Sequence, residues 1–80
     1  MKAAIKITLK PGVLDPQGQA IRQALASLGF AGVADVRQGK YIELELEVVS
    51  EGTARDQVEK ICKELLANAV IENYSFELMH

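Results

Sequence analysis

Few side chains in this sequence belong to the types that carry out nucleophilic, acid–base or metal chemistry. It contains a single cysteine, Cys62, and a single histidine, His80, at its last position. A zinc site needs more ligands than these side chains supply. Terminal residues fray, and a cysteine within an apolar helical pattern behaves as a small hydrophobic side chain. We therefore expect no catalytic residue and no bound metal.

The acidic residues Glu43, Glu45 and Glu47 form another pattern that could carry out chemistry. Carboxylates bind metal ions and exchange protons. Their spacing at every second residue, however, is typical of one face of a strand that contacts solvent or a partner. The sequence also has no glycine-rich phosphate loop of the form G-x-x-x-x-G-K-[ST]. We interpret the acidic row as an exposed strand face and expect no cofactor site.

The elements that would position these residues follow from hydrophobic periodicity. Alternating apolar and polar residues predict strands over residues 5–9, 33–38, 42–48 and 74–79, with a turn at residues 39–40. A first helix begins at Asp15 and Pro16, because Asp is favoured at the N-cap and Pro at the first helical position. Gly29 ends this helix, and its apolar stripe comprises Ala20, Ile21, Ala24, Leu25 and Leu28.

A second helix is predicted between Thr53, which resembles the start of a capping box with Asp56, and Asn68. Its apolar stripe comprises Val58, Ile61, Cys62, Leu65 and Leu66. The resulting order is β-α-β-β-α-β, the ferredoxin-like split motif. We expect an α+β two-layer sandwich over residues 1–80, as a single domain. Its antiparallel sheet has the first strand in the centre and both helices on one face.

The other face of this sheet carries charges of both signs. Three lysines of the first strand would lie beside glutamates of its neighbours; these residues are Lys2, Lys6, Lys10, Glu43, Glu45, Glu47 and Glu77. Opposite charges across paired strands contribute roughly 0.2–1 kcal/mol each. An open face needs either water or a partner, and a small domain gains stability from a partner.

Length and composition exclude several classes of function. A chain of 80 residues has a compact radius of gyration of about 12 Å, and a ligand pocket of roughly 300–1,000 Å³ would occupy much of its core. The net charge of −2 gives no basic surface for nucleic acid or anionic lipid. No apolar run approaches the roughly 18 residues of a membrane span, and a lone cysteine excludes an intramolecular disulfide. We therefore expect a cytoplasmic binding or assembly module that contacts neither nucleic acid nor membrane.

Two segments are longer or more basic than a simple connection requires. Residues 8–18 link the first strand to the first helix, and residues 35–42 place Arg37, Lys40 and Tyr41 around a hairpin tip. In one interpretation, Pro and Gly set the turns while basic residues protect an edge strand from aggregation. In the other, both segments are contact surfaces, because loops on a rigid frame carry most recognition.

These segments resemble the PurS family, the small subunit of phosphoribosylformylglycinamidine synthase. The resemblance is carried by residues 8–18 (TLKPGVLDPQG), 36–44 (VRQGKYIEL) and 66–74 (LANAVIENY), and it runs along the whole chain. A common variant of the last motif has Pro where this chain has Ala69, which is a detail of a turn. The resemblance implies a non-catalytic subunit of an ATP- and glutamine-dependent ligase complex in de novo purine biosynthesis.

The resemblance also implies partners. A glutaminase subunit releases ammonia, and a large synthetase subunit uses it, with ATP and Mg²⁺, to convert formylglycinamide ribonucleotide to its amidine. The small subunit forms dimers or dimers of dimers, bridges the other two subunits and assists ammonia transfer, while holding no cofactor itself. We expect its partner contacts among Lys10, Pro11, Gly12, Asp15, Arg37, Lys40 and Tyr41.

A regulatory domain is the alternative interpretation. Residues 11–14 (PGVL), after a strand, also resemble the ACT domain, which shares this fold and binds amino acids at dimer interfaces. ACT helices usually begin at that Pro-Gly-x-Leu step, whereas Asp15 and Pro16 place the helix start later. A self-assembling structural domain without other partners is a third possibility. Saturable heat on titration with amino acids would distinguish the sensor from the bridging subunit.

Overall fold

The computed structural model describes residues 1–47 and 50–79. Val48, the predicted end of one strand, and His80 lie outside the described residues. The elements are β1 (Lys2–Leu9), α1 (Pro16–Ser27), β2 (Gly39–Glu45), α2 (Glu51–Ile61), a π-helical turn (Cys62–Leu66) and β3 (Glu72–Met79). No helix among these residues has both the length and the apolar character that a bilayer crossing requires.

The sheet has the strand order β2-β1-β3, with both pairs antiparallel. Ile5 in the central strand pairs with Ile42 on one side and Phe76 on the other. The central position of the first strand and the ferredoxin-like class are thus confirmed. Lys2 and Glu43 approach to 3.3 Å on the open face, as the predicted charge array requires.

The hydrophobic core lies between the sheet and α2. Ile5 and Ile7 of β1 and Val58 and Cys62 of the second helix are its largest fully buried side chains. α2 begins at Glu51 and is capped by Ser50, whose hydroxyl accepts a hydrogen bond from the Thr53 nitrogen at 3.4 Å. The predicted cap at Thr53 was therefore wrong, because Ser50 lies one turn earlier and serves the same purpose.

The last turn of the second helix is wider than its sequence predicts. The Ala67 nitrogen donates to the Cys62 carbonyl at 3.0 Å, five residues back, which defines a π turn. Ala67, which ends this turn, is buried in the core, while Leu65 within the turn, predicted to be buried, is 79% exposed.

The first helix differs most from the expected architecture. α1 is capped as predicted, with Gly29 at φ +95° and the Phe30 nitrogen donating to the Leu25 carbonyl at 2.9 Å. Yet Gly18 is the only buried residue of α1, and the helix contributes no side chain to the hydrophobic core. α2 covers the sheet as expected, but α1 does not. The radius of gyration is accordingly 16.1 Å, against about 12 Å for a compact chain of this length.

The segment between α1 and β2 also departs from expectation. Residues 33–38, predicted as a strand, form no part of the sheet, which has three strands within residues 1–47 and 50–79. Gly39 and Lys40, predicted as a turn, lie in β2 and pair with Thr8 and Ile7. The Arg37 side chain and the Gln38 nitrogen are instead hydrogen-bonded to the loop before α1 and to the start of α1.

Candidate partner-binding site

Asp15 connects the first helix to the second strand. Its Oδ1 accepts a hydrogen bond from the Gly18 nitrogen at 2.9 Å, which caps α1, and its Oδ2 accepts one from the Gln38 nitrogen at 2.8 Å. The residue is 5% exposed. The hydrogen bond from Gln38, followed by the one from Gly18, holds the pKa of the Asp15 carboxyl below its ordinary value. One carboxylate therefore fixes two segments that are far apart in the sequence.

Arg37 holds the loop that leads from β1 to α1. Its Nη1 donates to the Val13 carbonyl at 3.1 Å, and its Nη2 donates to the carbonyls of Lys10 at 3.1 Å and Leu9 at 3.3 Å. A planar guanidinium with several fixed donors suits such a cluster of carbonyl oxygens. Three carbonyls between Leu9 and Val13 are thus directed at one guanidinium group.

Two further contacts connect the first turn of α1 to residues 36–38. Gln38 Nε2 donates to Gln17 Oε1 at 2.6 Å. Gly18 lies so near the backbone that a Cβ atom there would clash with the Val36 carbonyl oxygen. We call the set of Asp15, Gly18, Arg37 and Gln38 the joint.

The structure separates the predicted contact residues into two groups. Asp15 and Arg37, with the backbone of Lys10, form internal contacts of the joint and its loop. The remaining predicted residues present atoms to solvent. Lys40 forms an ion pair of 3.7 Å with Glu72, Tyr41 is 58% exposed on the opposite face of the strand, and Pro11 and Gly12 lie at an exposed turn.

An exposed apolar surface, which sequence analysis missed, extends along α1 and the residues after it. We call it the α1 surface; its large side chains are Ile21 (40% exposed), Leu28 (73%), Phe30 (59%) and Val33 (36%). A hollow of about 310 Å³ next to Phe30 and Val33 is lined also by the polar side chains of Arg22 and Gln23, and by Ala26 and Ala31. The amphipathic pattern of α1 is the available signal, but the same pattern is typical of a helix that packs on the core of its own chain.

The open face of the sheet is a second exposed surface. Lys6 and Tyr41 pair across β1 and β2, with Glu77 and Met79 on the other side of β1. These four residues and the small side chain of Ala4 line a hollow of about 330 Å³. Charges of both signs around a partly apolar floor can fix the orientation of a protein partner.

The groups with reactive potential are held in unreactive states. Burial, and then the nearby carboxylate of Glu59, raises the pKa of the Cys62 thiol, so that it stays protonated. The Tyr74 hydroxyl donates to Glu59 Oε2 at 2.6 Å, and chiefly through this bond its pKa rises to about 12. Among residues 1–47 and 50–79, no three His, Cys, Asp or Glu side chains lie together as a metal site requires.

Comparison with known proteins gives one consistent similarity. The profile of the PurS family, described as phosphoribosylformylglycinamidine (FGAM) synthase, matches residues 2–80. Subunit PurS of that synthase from Synechocystis is 55% identical over 74 residues, which are 92% of this chain and 74% of the relative. The Bacillus subtilis subunit is 46% identical over 77 residues, covering 96% of this chain and 90% of the relative.

Solved structures show the same similarity. B. subtilis PurS superposes with a TM-score of 0.87 at 44% identity, covering 99% of this chain and 98% of the other. A chain in the structure of PurLQS from Thermotoga maritima gives a TM-score of 0.88 at 36% identity, covering 98% and 95%. The similarity therefore extends over nearly the full length of each chain.

Proposed function

Because the chain belongs to the PurS family of phosphoribosylformylglycinamidine synthase subunits, we propose that it bridges the glutaminase and the ATP-dependent synthetase of that enzyme and assists ammonia transfer between them. It is a subunit of this ligase complex in purine biosynthesis. The observation that carries the bridging role is the open face of the sheet, which neither helix covers and where the exposed Tyr41 lies among charges of both signs. A face of this kind can fix the orientation of a protein partner.

Bridging contributes to the reaction without a catalytic side chain. Ammonia that escapes into water is protonated to ammonium, which is not a nucleophile. A junction that excludes water between the two active sites preserves the reactive form. Holding these sites in a fixed arrangement also replaces a bimolecular encounter with a local transfer.

We assign the α1 surface to a second copy of this chain. Arg22 is the only charged residue of the 12 in α1, and depletion of charge is typical of the buried centre of an interface. Burying apolar surface stabilises association by about 25 cal/mol per Å² removed from water, and the exposed part of each large side chain of the α1 surface contributes in this way. A two-fold arrangement places the same surface on both partners, so one apolar patch suffices to form a closed dimer. A dimer of dimers would need a further surface.

The open face of the sheet, with its mixed charges, is left for the other subunits. Of the predicted contact residues, Tyr41 lies on this face, while Lys10, Pro11, Gly12 and Lys40 surround the loop end of the molecule. We retain these as contacts with the glutaminase or the synthetase. Asp15 and Arg37 act indirectly, because the side-chain groups that would bind a partner are occupied within the chain.

The remaining assignments belong to the same proposal, and membership of the PurS family supports them. Residues 1–80 form one domain of the PurS type, and the protein acts in the cytoplasm, where the thiol of Cys62 stays reduced. ATP and Mg²⁺ are used in the synthetase subunit, and this chain binds neither. The isolated chain accordingly has no glutaminase or ATPase activity.

Assembly from purified subunits tests this function. The chain is mixed with the glutaminase and the synthetase of the same organism, and the complexes are sized by sedimentation velocity with and without glutamine and ATP. We expect one complex containing all three subunits, and no association of glutaminase with synthetase when this chain is left out. Stable pairing of those two enzymes without this chain would contradict the bridging role.

A further inference from the structure

We infer that Asp15, Gly18 and Arg37 act as positioning residues that fix the direction in which α1 leaves the sheet, and so present the α1 surface to a second copy. The inference rests on the self-association proposed above. The new element is which residues set the geometry of the dimer. These residues lie at the base of α1, outside the proposed interface.

The direction of α1 depends on its first turn. Gly18 is the only buried residue of the helix, Leu25 is half-buried, and the other side chains of α1 are exposed. A helix of 12 residues extends about 18 Å, so a rotation of about 20° at its base displaces its far end by about 6 Å. Small changes at Asp15 or Gly18 therefore become large displacements at Leu28 and Phe30.

The joint resists rotation about more than one axis, because its contacts lie on different segments. Asp15 ties the first turn of α1 to the start of β2 through Gln38, and Gly18 packs against the Val36 carbonyl. Arg37 ties the same segment to three carbonyls of the loop before α1. A single contact would leave the helix free to turn about it, whereas this combination does not.

The chemistry of the joint makes it rigid. The Asp15 carboxylate is almost fully buried and has both of its oxygens bound by backbone N–H groups. Hydrogen bonds to an ionised group are shorter and stronger than those between neutral groups. A helix that is already held in the direction it has in the dimer loses less conformational entropy on association. The free-energy cost of association is smaller as a result, so the dimer is more stable.

Glycine at position 18 supplies a discriminating test. Alanine favours an isolated helix, but its Cβ at this position would push α1 away from Val36. Gly52 in α2 is the matched control, since a Cβ there would meet only the Ser50 hydroxyl, at 3.9 Å. Asp15→Ser is a second variant that keeps an N-cap oxygen for Gly18 but cannot also reach Gln38.

The experiment measures direction and association separately. Spin labels at Ser27→Cys in α1 and Glu45→Cys in β2, in a Cys62→Ala background, report the distance between helix and sheet. The labelled chain is diluted into excess unlabelled chain, so that only distances within one protomer are seen. Sedimentation equilibrium of unlabelled chains gives the dissociation constant of the dimer.

We expect Gly18→Ala and Asp15→Ser to shift or broaden the distance distribution and to weaken self-association at least tenfold, while Gly52→Ala changes neither. A narrow distribution at the original distance in both variants would overturn the inference. So would an altered distribution with an unchanged dissociation constant. If the unaltered chain is monomeric at all concentrations, the proposed self-association fails, and the inference that the joint serves it falls as well, whatever the labels show.

Discussion

The Oδ2 atom of Asp15 lies 2.8 Å from the backbone nitrogen of Gln38, across 23 residues of sequence. The bond occupies the backbone N–H of Gln38, which the sequence assigns to a strand. Asp15 lies at the point where α1 leaves the sheet. The same contact relates two departures from the expected fold: residues 33–38 lie outside the sheet, and α1 does not cover the sheet. The segment before β2 holds the helix start instead of forming a fourth strand.

Acid should weaken the joint through Asp15. Its pKa in the folded protein lies below the ordinary value of 3.8, because the ionised carboxylate is hydrogen-bonded. The group thus contributes stability that is present above pH 3.8 and lost as the pH falls through the lower, folded-state pKa. Urea unfolding from pH 2 to 7 should show a stability gap between the unaltered chain and Asp15→Ser that narrows in acid. A gap independent of pH would contradict this assignment.

The α1 surface should govern self-association. Replacing Leu28, which is 73% exposed, with Glu places a charge in the proposed dimer interface and should raise the dissociation constant about tenfold or more. The melting temperature of the monomeric form should change little. Leu65→Glu is the matched control, because Leu65 is 79% exposed but lies on the second helix. Equal effects of the two substitutions would rule out the α1 surface as the specific interface.

The core should be sensitive to a single methylene. Ile5 has no exposed surface, so Ile5→Val is expected to lower the free energy of unfolding by about 0.5–1.5 kcal/mol. Val70→Ala removes apolar atoms from a side chain that is 81% exposed, so it should change the free energy of unfolding by less than about 0.5 kcal/mol. Chemical denaturation monitored by circular dichroism measures both. If the two variants lost the same stability, the placement of the core would be wrong.

Tyr74 should remain protonated in strong base. Its hydrogen bond to Glu59 raises its pKa to about 12. Ultraviolet titration of the folded protein should show a phenol component in this range that disappears in Tyr74→Phe. The same component should move to lower pH in Glu59→Gln, since the amide no longer favours the protonated phenol. An unchanged titration in Glu59→Gln would show that Glu59 is not the cause.

Periodicity predicted the elements well and their placement less well. The alternation in β1 and β3 identified the face that packs against α2, and Gly29 marked the helix end, because each depends on neighbouring residues. The apolar stripe of α1 showed that one face of this helix is to be covered. It carries no information on whether the same chain covers it, which is why we expected a more compact molecule.

Contact between partners and the residues singled out in the two unusual segments stays a prediction. Within the chain, Asp15 and Arg37 contact the chain's own backbone, whereas Tyr41 lies on the open face of the sheet. The role of Asp15 and Arg37 depends on long-range contacts, which local patterns do not reveal. The π turn had no local signal either, because the spacing of Val58, Cys62 and Leu65 is that of an ordinary helix.

The most direct test of the bridging role is the coupling between the two reactions of the complex. Glutamine hydrolysed and amidine formed are measured together, with glutaminase and synthetase present and this chain added or omitted. We predict that adding the chain brings the ratio of amidine formed to glutamine hydrolysed close to unity, and that omitting it lowers the ratio while turnover with added ammonium salt persists. A ratio that does not depend on this chain would contradict the account.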